Sequence, residues 1–279
     1  MEIFHSIYLG IKRRPLRFLA WIFFSYSALW TIIESVSSFF PEATPKGPKY
    51  YLPLLILCLI LACIRAYQRK IIEFEVKHAN TKIRVFFGDI FKNNGYIAIP
   101  VNEFFDSEIG LPVSPRSLHG MVIQGFFGGH SASFDELISA DLVETPSQII
   151  QRSFGKTKQY KVGTTAHIKT NTHNFLLFAL CVTDITTCKA SANLQDLVCA
   201  IQGLCKKSRV NLGGEKLVVP LAGSGLSGIG LPAQHLLHIL LLTLIDETKR
   251  NQFALEIDIV LNPSRFDEID LSIIENIWR

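Results

Sequence analysis

The chain has 279 residues, which is enough for one large domain or for one domain with an appendage. Hydrophobic residues make up 48% of it, and its formal net charge is +4. The positive charge is confined to residues 1–70, which carry 9 basic and 3 acidic residues, whereas residues 71–279 carry 19 basic and 21 acidic residues. The larger part of the chain therefore has no basic excess with which to bind a nucleic-acid backbone, and we predict no nucleic-acid partner.

Two long apolar runs stand near the N-terminus, Phe18–Phe40 and Tyr51–Ala66, with a proline-rich stretch between them. Each approaches the roughly 20 helical residues that cross the hydrocarbon core of a bilayer. A cleaved signal peptide is the alternative for the first run, but a signal peptide is not normally followed by a second, matched apolar run. We therefore predict a transmembrane helical hairpin over residues 1–70, followed by one soluble domain over residues 71–279.

Basic residues flank both runs on the sides away from the connecting stretch. Cytoplasmic flanks of membrane spans are enriched in lysine and arginine, so we predict that both termini are cytoplasmic and that the protein lies in the inner membrane with two spans. The six cysteines form no CxxC pair, which fits reduced thiols in a cytoplasmic domain. The flanking basic residues are Lys12, Arg13, Arg14 and Arg17 before the first run and Arg65, Arg69 and Lys70 after the second.

The first span carries a polar line, because Ser27, Thr31, Glu34 and Ser38 fall on one face of a helix. An ionisable side chain inside a membrane is usually covered by helix packing or by a water-filled path. A helix contact is the simpler explanation, and an ion-conducting pore is the alternative. Two spans are too few to cover this face, so we predict that the protein self-associates.

From Ile71 onward the sequence pattern is typical of a layered α/β domain, in which strands alternate with helices around a mostly parallel or mixed sheet. A helix start is predicted at Ser114-Pro115, where serine caps and proline occupies the first turn. The predicted strands are Ile71–Lys77, Lys82–Phe87, Tyr96–Val101, Tyr160–Lys169, Asn174–Thr183, Lys216–Ala222 and Ala254–Leu261, and the other predicted helices are Asp135–Leu142, Ala192–Lys207 and Pro232–Arg250.

A glycine-rich turn joins the predicted strand Lys216–Ala222 to the helix that follows it. Glycines let consecutive backbone N–H groups converge on an anion near a helix N-terminus, which is suited to a diphosphate. Gly223, Gly225 and Gly228 also satisfy the dinucleotide pattern GxGxxG, but only one strand follows and it ends without a carboxylate for a ribose. The turn has no GK[ST] and no GxSxG sequence, so neither a Walker loop nor a nucleophile elbow is predicted.

Three motifs in this order resemble the macro domain, a three-layer α/β/α module with a mixed sheet that binds ADP-ribose. Gly88-Asp89-Ile90 is similar to the family's GDI signature, and Pro100-Val101-Asn102 is similar to the start of its VNAAN strand end. The resemblance implies that Asp89 and Ile90 contact adenine, that Asn102 lies near the distal ribose, and that a loop holds the diphosphate. That loop is Ala222, Gly223, Ser224, Gly225, Leu226, Ser227, Gly228 and Ile229.

The chain departs from the macro-domain pattern around the distal ribose. Phe105 stands where the second asparagine of VNAAN would be, and the family's glycine-rich loop is replaced by residues 104–120. The resemblance then implies a receptor with an altered pocket, in which Leu118, His119 and Gly120 border the variable end of the ligand. A membrane-anchored ADP-ribosyl or acyl-ADP-ribose hydrolase is the enzymatic alternative, and a passive anchor for ADP-ribosylated partners is a third.

The whole layout, including VNEFFD, SPRSLHG and PLAGSGLSGIG, is similar to the membrane-bound macro effectors of type II Thoeris anti-phage systems. That resemblance implies a partner TIR-domain enzyme that converts NAD into an ADP-ribose derivative, histidine-conjugated ADP-ribose. It implies further that the effector binds this signal, assembles with copies of itself and damages the bilayer, so that the infected cell stops supporting phage. The same resemblance implies no cofactor beyond this ligand.

Simpler explanations exist for several of these residues. Asp89 could be an ordinary turn residue, and Asn102 could simply end a strand. His235 and His238 are three residues apart on a helix, but no cysteine or carboxylate stands near them at ligand spacing, so no metal site is predicted. Arg116 and Phe266 are further candidates, the first for the variable end of the ligand and the second for stacking on adenine.

Overall fold

The computed structural model describes residues 2–42, 47–225 and 228–278. The contacts within it divide the chain into two compact units, Met1–Arg69 and Lys70–Arg279. The division falls one residue before the boundary predicted from the sequence, where the apolar helices give way to the alternating strands.

The first unit is helical. Helices α2 and α3 are long and apolar enough, by length and composition, to cross a membrane, once the short turn Pro48–Tyr50 is counted with α3. Most of their side chains are exposed, unlike those of a core helix in a soluble protein. The sequence analysis did not predict the first of the three helices, which are α1 (Glu2–Arg13), α2 (Pro15–Phe39) and α3 (Tyr51–Ala66).

The second unit alternates strands and helices. Its elements in chain order are β1 (Ile71–Glu75), β2 (Lys82–Phe87), β3 (Tyr96–Asn102), α4 (Leu118–Phe127), α5 (Ser131–Asp141), β4 (Ser147–Ile149), β5 (Lys158–Tyr160), β6 (Thr165–Lys169), β7 (Asn174–Thr183), β8 (Ala190–Ser191), α6 (Leu194–Asn211), β9 (Leu217–Pro220), α7 (Ala233–Arg250), β10 (Glu256–Leu261) and α8 (Leu271–Trp278).

The main sheet has the order β1-β2-β10-β9-β3-β7-β6. The five central strands run parallel to one another, while β1 pairs with β2 and β6 pairs with β7 in the antiparallel sense. The sheet is therefore mixed, as predicted. Parallel strands are buried on both faces, and the central strands accordingly read as continuous apolar runs such as Leu217–Pro220.

Helices cover both faces of this sheet. Successive residues of β3 show the alternation, because Ala98 packs on the side of α6, α7 and α8 and Ile99 packs on the side of α4 and α5. On the first side Leu237 and Leu241 of α7 are buried, and on the second Val122 of α4 is buried. The predicted three-layer α/β/α macro-domain-like architecture is confirmed.

The pairing of β3 with β7 shifts at its carboxyl end. Val101 lies opposite Ala179, but Asn102 lies opposite Cys181, so Leu180 is an extra residue on β7. Such a bulge bends a strand and re-aims the side chains that follow it. On the partner strand β3, two polar residues in succession, Asn102 and Glu103, stand at this shift, and both are buried.

Several predicted elements have different bounds in the structure, and two of these differences have a clear local cause. Helix α4 begins at Leu118 rather than at Ser114-Pro115, because the Ser114 carbonyl oxygen accepts from the Ser117 N–H in a turn (3.1 Å) and Ser117 caps the helix instead. The predicted strand Tyr160–Lys169 is two strands, because Gly163 has a φ of +91° and a turn separates them.

Candidate functional site

The predicted site residues lie at the carboxyl ends of four neighbouring parallel strands, along one edge of the sheet. Asp89 follows β2, the loop Leu221–Gly230 follows β9, and Asn102 ends β3, while the segment after β10 stands between the first two. Ligands of open α/β sheets bind at the carboxyl ends of the strands. Strands β2 and β3 are three strand spacings apart, or about 14 Å, so an elongated ligand could reach across the edge from Asp89 to Asn102.

Asp89 lies on the surface at one end of this edge. Its Oδ1 accepts a hydrogen bond from the Phe91 N–H (3.0 Å), which caps the short turn Ile90–Lys92. Within the described part of the chain, Oδ2 accepts no hydrogen bond, so this oxygen can accept one from an amino group of a ligand. Ile90 is buried in the core and anchors the turn.

The glycine-rich loop after β9 is held at its start and open further on. Ala222 and Gly223 are buried, and Gly223 has a φ of +83°, a left-handed conformation that favours glycine. Ser224 Oγ donates to the Leu221 carbonyl oxygen (2.9 Å), whereas Gly225 and Gly228 are exposed. Ile229 packs on the core. The predicted residues Leu226 and Ser227 lie outside the described residues.

The backbone donors of this loop have the properties of an anion site. The N–H groups of residues 222–225 donate to no acceptor among the residues that the structure describes. Helix α7 begins a few residues later at Ala233, without a side-chain cap at its first turn. N–H groups without an acceptor in the described part of the chain, together with the positive end of an 18-residue helix, favour a phosphate.

Arg265 links this loop to the segment after β10. Its Nη2 donates to the Ser224 carbonyl oxygen (2.6 Å), while its Nη1 pairs with Glu268 (2.7 Å). The arginine therefore fixes the loop through a carbonyl and leaves the N–H groups of the loop available. Phe266, the candidate for adenine stacking, is half-buried beside Phe87, with 5.1 Å between their ring centroids.

At the other end of the edge, Asn102 is engaged by a carboxylate. Its Nδ2 donates to Asp106 Oδ2 (2.7 Å), and its Oδ1 accepts from the Asp106 N–H (3.1 Å). Both residues are buried. The amide of Asn102 is thus held in one orientation by its own loop.

Asp106 is the centre of a buried ion-pair cluster. It pairs with Arg152, and both side chains are fully buried. The Lys156 N–H donates to the same carboxylate (2.8 Å), and Lys156 Nζ donates to the Phe105 carbonyl oxygen (2.6 Å) and pairs with Asp135. A buried carboxylate with several donors is strongly held, and removing one partner leaves an uncompensated charge.

Phe105, which the macro-domain resemblance aligns with the second asparagine of VNAAN, is fully buried. Its backbone is left-handed, with a φ of 51°, and its ring packs edge-on against Tyr160 at 5.5 Å between centroids. Arg152 lies over the neighbouring ring of Phe104 at 3.7 Å. Residues 104 and 105 therefore place apolar rings, and no amide, behind this end of the edge.

Burial controls the protonation of the titratable side chains here. It lowers the pKa of His119 to about 3, and the positive charge of Lys156 acts in the same direction. It raises the pKa of Glu103, although the Thr183 N–H donates to that carboxylate at 2.8 Å. His119 is neutral at physiological pH, and its Nε2 has no hydrogen-bond partner among the described residues.

The three residues predicted to border the variable end of the ligand lie in the first turn of α4. His119 and Gly120 are buried, and Leu118 is half-buried. A Cβ at residue 120 would lie 2.2 Å from the Ser114 carbonyl oxygen, so glycine permits the close approach of the helix to residues 114–115. Arg116 is exposed on the turn before the helix.

The two helix histidines do not form a metal site. His235 is exposed, and the half-buried His238 lies 3.2 Å through its Nε2 from the amide of Gln234. Burial lowers the pKa of His238. Across residues 2–42, 47–225 and 228–278, no three histidine, cysteine or acidic side chains cluster in a way that could hold a metal ion.

Sequence reasoning missed Arg265, Arg152 and Lys156, which reach the site from separate segments. Arg265 stands in a turn, and Arg152 stands in the connection between β4 and β5. Neither has a motif around it that indicates its partner. Asp106 had a signal, because an acid four residues after a strand-end asparagine is within reach of it, and VNEFFD contains that spacing.

The chain is similar in fold to solved macrodomain structures. A variant of the Oceanobacillus iheyensis macrodomain matches with a TM-score of 0.51 and 13% identity over 75% of this chain and 98% of that one. A second variant, with ADPR, matches with a TM-score of 0.52 and 13% identity over 74% and 98%, and the macrodomain with ADP with 0.50 and 13% over 74% and 96%. These similarities show the fold alone.

No curated protein matches the sequence. The family model described as the macro domain of the Thoeris protein ThsA matches residues 83–262, which is more than half of the chain and includes β2 without its first residue, β3, the glycine-rich loop and the helices α4 to α7. The chain therefore belongs to the macro-domain family of the Thoeris protein ThsA.

Proposed function

We propose that the chain is a membrane effector of a Thoeris-type anti-phage system. Its cytoplasmic domain, residues 71–279, binds an ADP-ribose derivative made by a TIR-domain partner enzyme, with histidine-conjugated ADP-ribose as the favoured signal. The liganded protein assembles with copies of itself and damages the inner membrane through its two spans. The infected cell then stops supporting phage.

The observation that carries this proposal is the shared edge of the sheet. Asp89, the open amides of residues 222–225 and Asn102 follow three strands of one parallel set, in the spatial order adenine, diphosphate and distal ribose that the macro-domain resemblance implies. Two of the structural neighbours described above carry ADPR and ADP. The ligand-binding half of the proposal needs only this geometry.

The distal end of the edge favours a receptor over a hydrolase. Asn102, the amide at the end of β3, has both polar atoms bonded to Asp106, and the position of the second family amide holds the buried ring of Phe105. A hydrolase needs a group that can position or activate water beside the scissile bond. The apolar replacement removes one such group, so binding without turnover is the function that we assign.

The polar line on α2 supports self-association. Ser27, Thr31, Glu34 and Ser38 are exposed in the single chain, and the hydroxyls of Thr31 and Ser38 donate to carbonyl oxygens of their own helix. The Glu34 carboxylate forms no hydrogen bond or ion pair with any residue in the described ranges. A carboxylate facing hydrocarbon is costly, and a second copy of the helix would cover it.

Ligand binding is coupled to assembly through differential affinity. A signal that binds better to the assembled form shifts the association equilibrium by that difference alone. We propose that ligand binding orders the glycine-rich loop and residues 102–120, which border the two ends of the ligand.

Calorimetry on the full chain in nanodiscs tests the receptor. ADP-ribose and its histidine conjugate are titrated against wild type, Asp89→Ala and the matched control Glu75→Ala. Glu75 is an exposed acid at the opposite edge of the sheet, because it pairs with Lys82 at the start of β2. We expect binding to weaken at least about ten-fold in the first variant only, since a lost hydrogen bond to a charged group contributes about 1.5–3 kcal/mol. Equal affinities would remove the assignment of Asp89.

Dye release from liposomes tests the effector. The signal should release dye with the wild type and with the neighbouring control Val36→Leu, but not with Glu34→Leu, which removes the polar contact between copies. Mass spectrometry of the ligand after incubation provides the second readout. Conversion of an ADP-ribosylated or acylated substrate would contradict the receptor function and favour the hydrolase alternative.

A further inference from the structure

Helix α1 is docked on the end of α3. Ser6 Oγ donates to the Gln68 carbonyl oxygen (2.8 Å) and accepts from the Gln68 N–H (3.0 Å). Arg13 Nη1 donates to Gln68 Oε1 (3.1 Å). A Cβ at residue 10 would lie 1.7 Å from the Ala66 carbonyl oxygen, so only glycine allows this approach. Residues 6, 9, 10 and 13 share one side of the helix, which we term the docked face.

A second side of α1 is apolar and uncovered. Ile3, Phe4 and Tyr8 are 63%, 79% and 59% exposed, and Ile7 and Ile11 continue the same stripe at helical spacing. We term these five residues the apolar face. Exposed large apolar side chains are ordinary when single, but a continuous stripe marks an interaction surface. Residues 5 and 12, both exposed, lie together on the third side of the helix.

The charge around α1 identifies the partner. Its end and the ends of α2 and α3 bring a dense group of basic side chains together within the first unit, and no acidic residue occurs in residues 12–17 or 65–69. A helix with an apolar stripe and basic residues beside it binds in the plane of an anionic lipid surface, with the stripe sunk into the headgroup boundary. The basic residues are Lys12, Arg13, Arg14, Arg17, Arg65 and Arg69.

We infer that α1 is an interfacial helix that binds the anionic lipid surface of the cytoplasmic leaflet through its apolar face. The inference rests on the proposed membrane insertion of α2 and α3. It follows from position, because α1 continues into α2 through Arg14 and is fixed by hydrogen bonds to Gln68, two residues after the end of α3. The helix thereby holds the cytoplasmic ends of both spans at the bilayer surface.

Hydrogen exchange on the full chain tests this assignment. The protein is placed at one copy per nanodisc, in neutral lipid or in lipid containing phosphatidylglycerol, so that no second copy can cover α1. We expect the amides of α1 to exchange about ten-fold more slowly in the anionic nanodiscs, because each basic residue near the surface adds to the attraction. Phe4→Ser/Tyr8→Ser should abolish the difference.

The matched control is His5→Ser, on the side of the helix away from the apolar face, which should keep the difference. Equal exchange in the two lipids, or a difference that survives Phe4→Ser/Tyr8→Ser, would overturn the inference and assign the apolar face to protein contacts. The amides of α2 and α3 report separately on the proposed function. If they exchanged like exposed helices in both lipids, membrane insertion itself would be wrong.

Discussion

Two segments at the same edge of the sheet differ in whether their polar groups already have hydrogen-bond partners. The loop after β9 leaves the N–H groups of residues 222–225 without described acceptors, while the segment after β3 ties Asn102, Asp106 and Arg152 to one another in the interior. The first can bind an anion without breaking any bond to a residue that the structure describes. The second can bind only by replacing bonds that it already has, which makes its contribution to affinity smaller and its contribution to selectivity larger.

We expect the largest effect from removing the ion pair of the second segment. Arg152→Ala leaves Asp106 charged and buried, and we expect the free energy of unfolding to fall by about 3–5 kcal/mol. Urea denaturation of the full chain in detergent, followed by circular dichroism, measures the change. Arg250→Ala is the control, because its pair with Asp246 is exposed and should contribute about 0.5 kcal/mol or less. A similar small loss for Arg152→Ala would mean that the segment is not held by this pair.

The pH dependence of stability tests the same segment through His119. The histidine has a pKa of about 3 when folded and about 6.5 when unfolded, so the unfolded state binds more protons between these values. Stability should therefore fall as the pH falls from about 6.5 toward 3, by about 1.4 kcal/mol per pH unit. His119→Gln, which does not titrate, should flatten this dependence by that amount, as measured by denaturation between about pH 7 and pH 5.

The exposed His235→Gln provides the comparison for that measurement. It removes an exposed imidazole from the same domain, so any general effect of replacing histidine by glutamine appears in both variants. The raised pKa of Glu103 acts in the opposite sense, and it is common to both proteins. Parallel curves for wild type and His119→Gln would show that the first turn of α4 opens to water.

The smallest expected effect comes from adding a methyl group at Gly223, in the loop after β9. Gly223→Ala forces a side chain into a left-handed backbone, which costs about 1–2 kcal/mol, and its Cβ would meet Ile229 Cδ1 at 2.4 Å. We expect about a ten-fold loss of ADP-ribose affinity by calorimetry. Gly225→Ala meets no atom within 4 Å and should bind nearly as wild type. Equal losses in both variants would point to general loosening rather than to the conformation of residue 223.

The sequence predicted the parts of the fold that depend on local pattern. The strands Lys82–Phe87 and Asn174–Thr183 and the helix Tyr51–Ala66 have the predicted bounds, because each is a continuous apolar or alternating run with breakers at its ends. Helix α1 was missed because its apolar face is short and its docked face contains serine, glycine and arginine. The contact with Gln68 explains why the docked face carries serine, glycine and arginine.

The site was predictable where motifs are contiguous and not where contacts are distant. Asp89, Asn102 and the glycine-rich loop each stand directly after a strand, so their common edge follows from parallel pairing. The partners of Asp106 come from about 50 residues away in a connection with little regular structure. Their position depends on how that connection packs, which no local pattern encodes.

Phe105 would oppose any attempt to build hydrolytic chemistry at this end of the sheet edge. Its left-handed backbone would accept an asparagine, which adopts that conformation more readily than phenylalanine does. Its ring, however, fills a fully enclosed space beside Tyr160, and a shorter amide there would leave a void and a polar group facing carbon. Installing hydrolytic chemistry by design would thus require rebuilding the neighbouring rings together with residue 105.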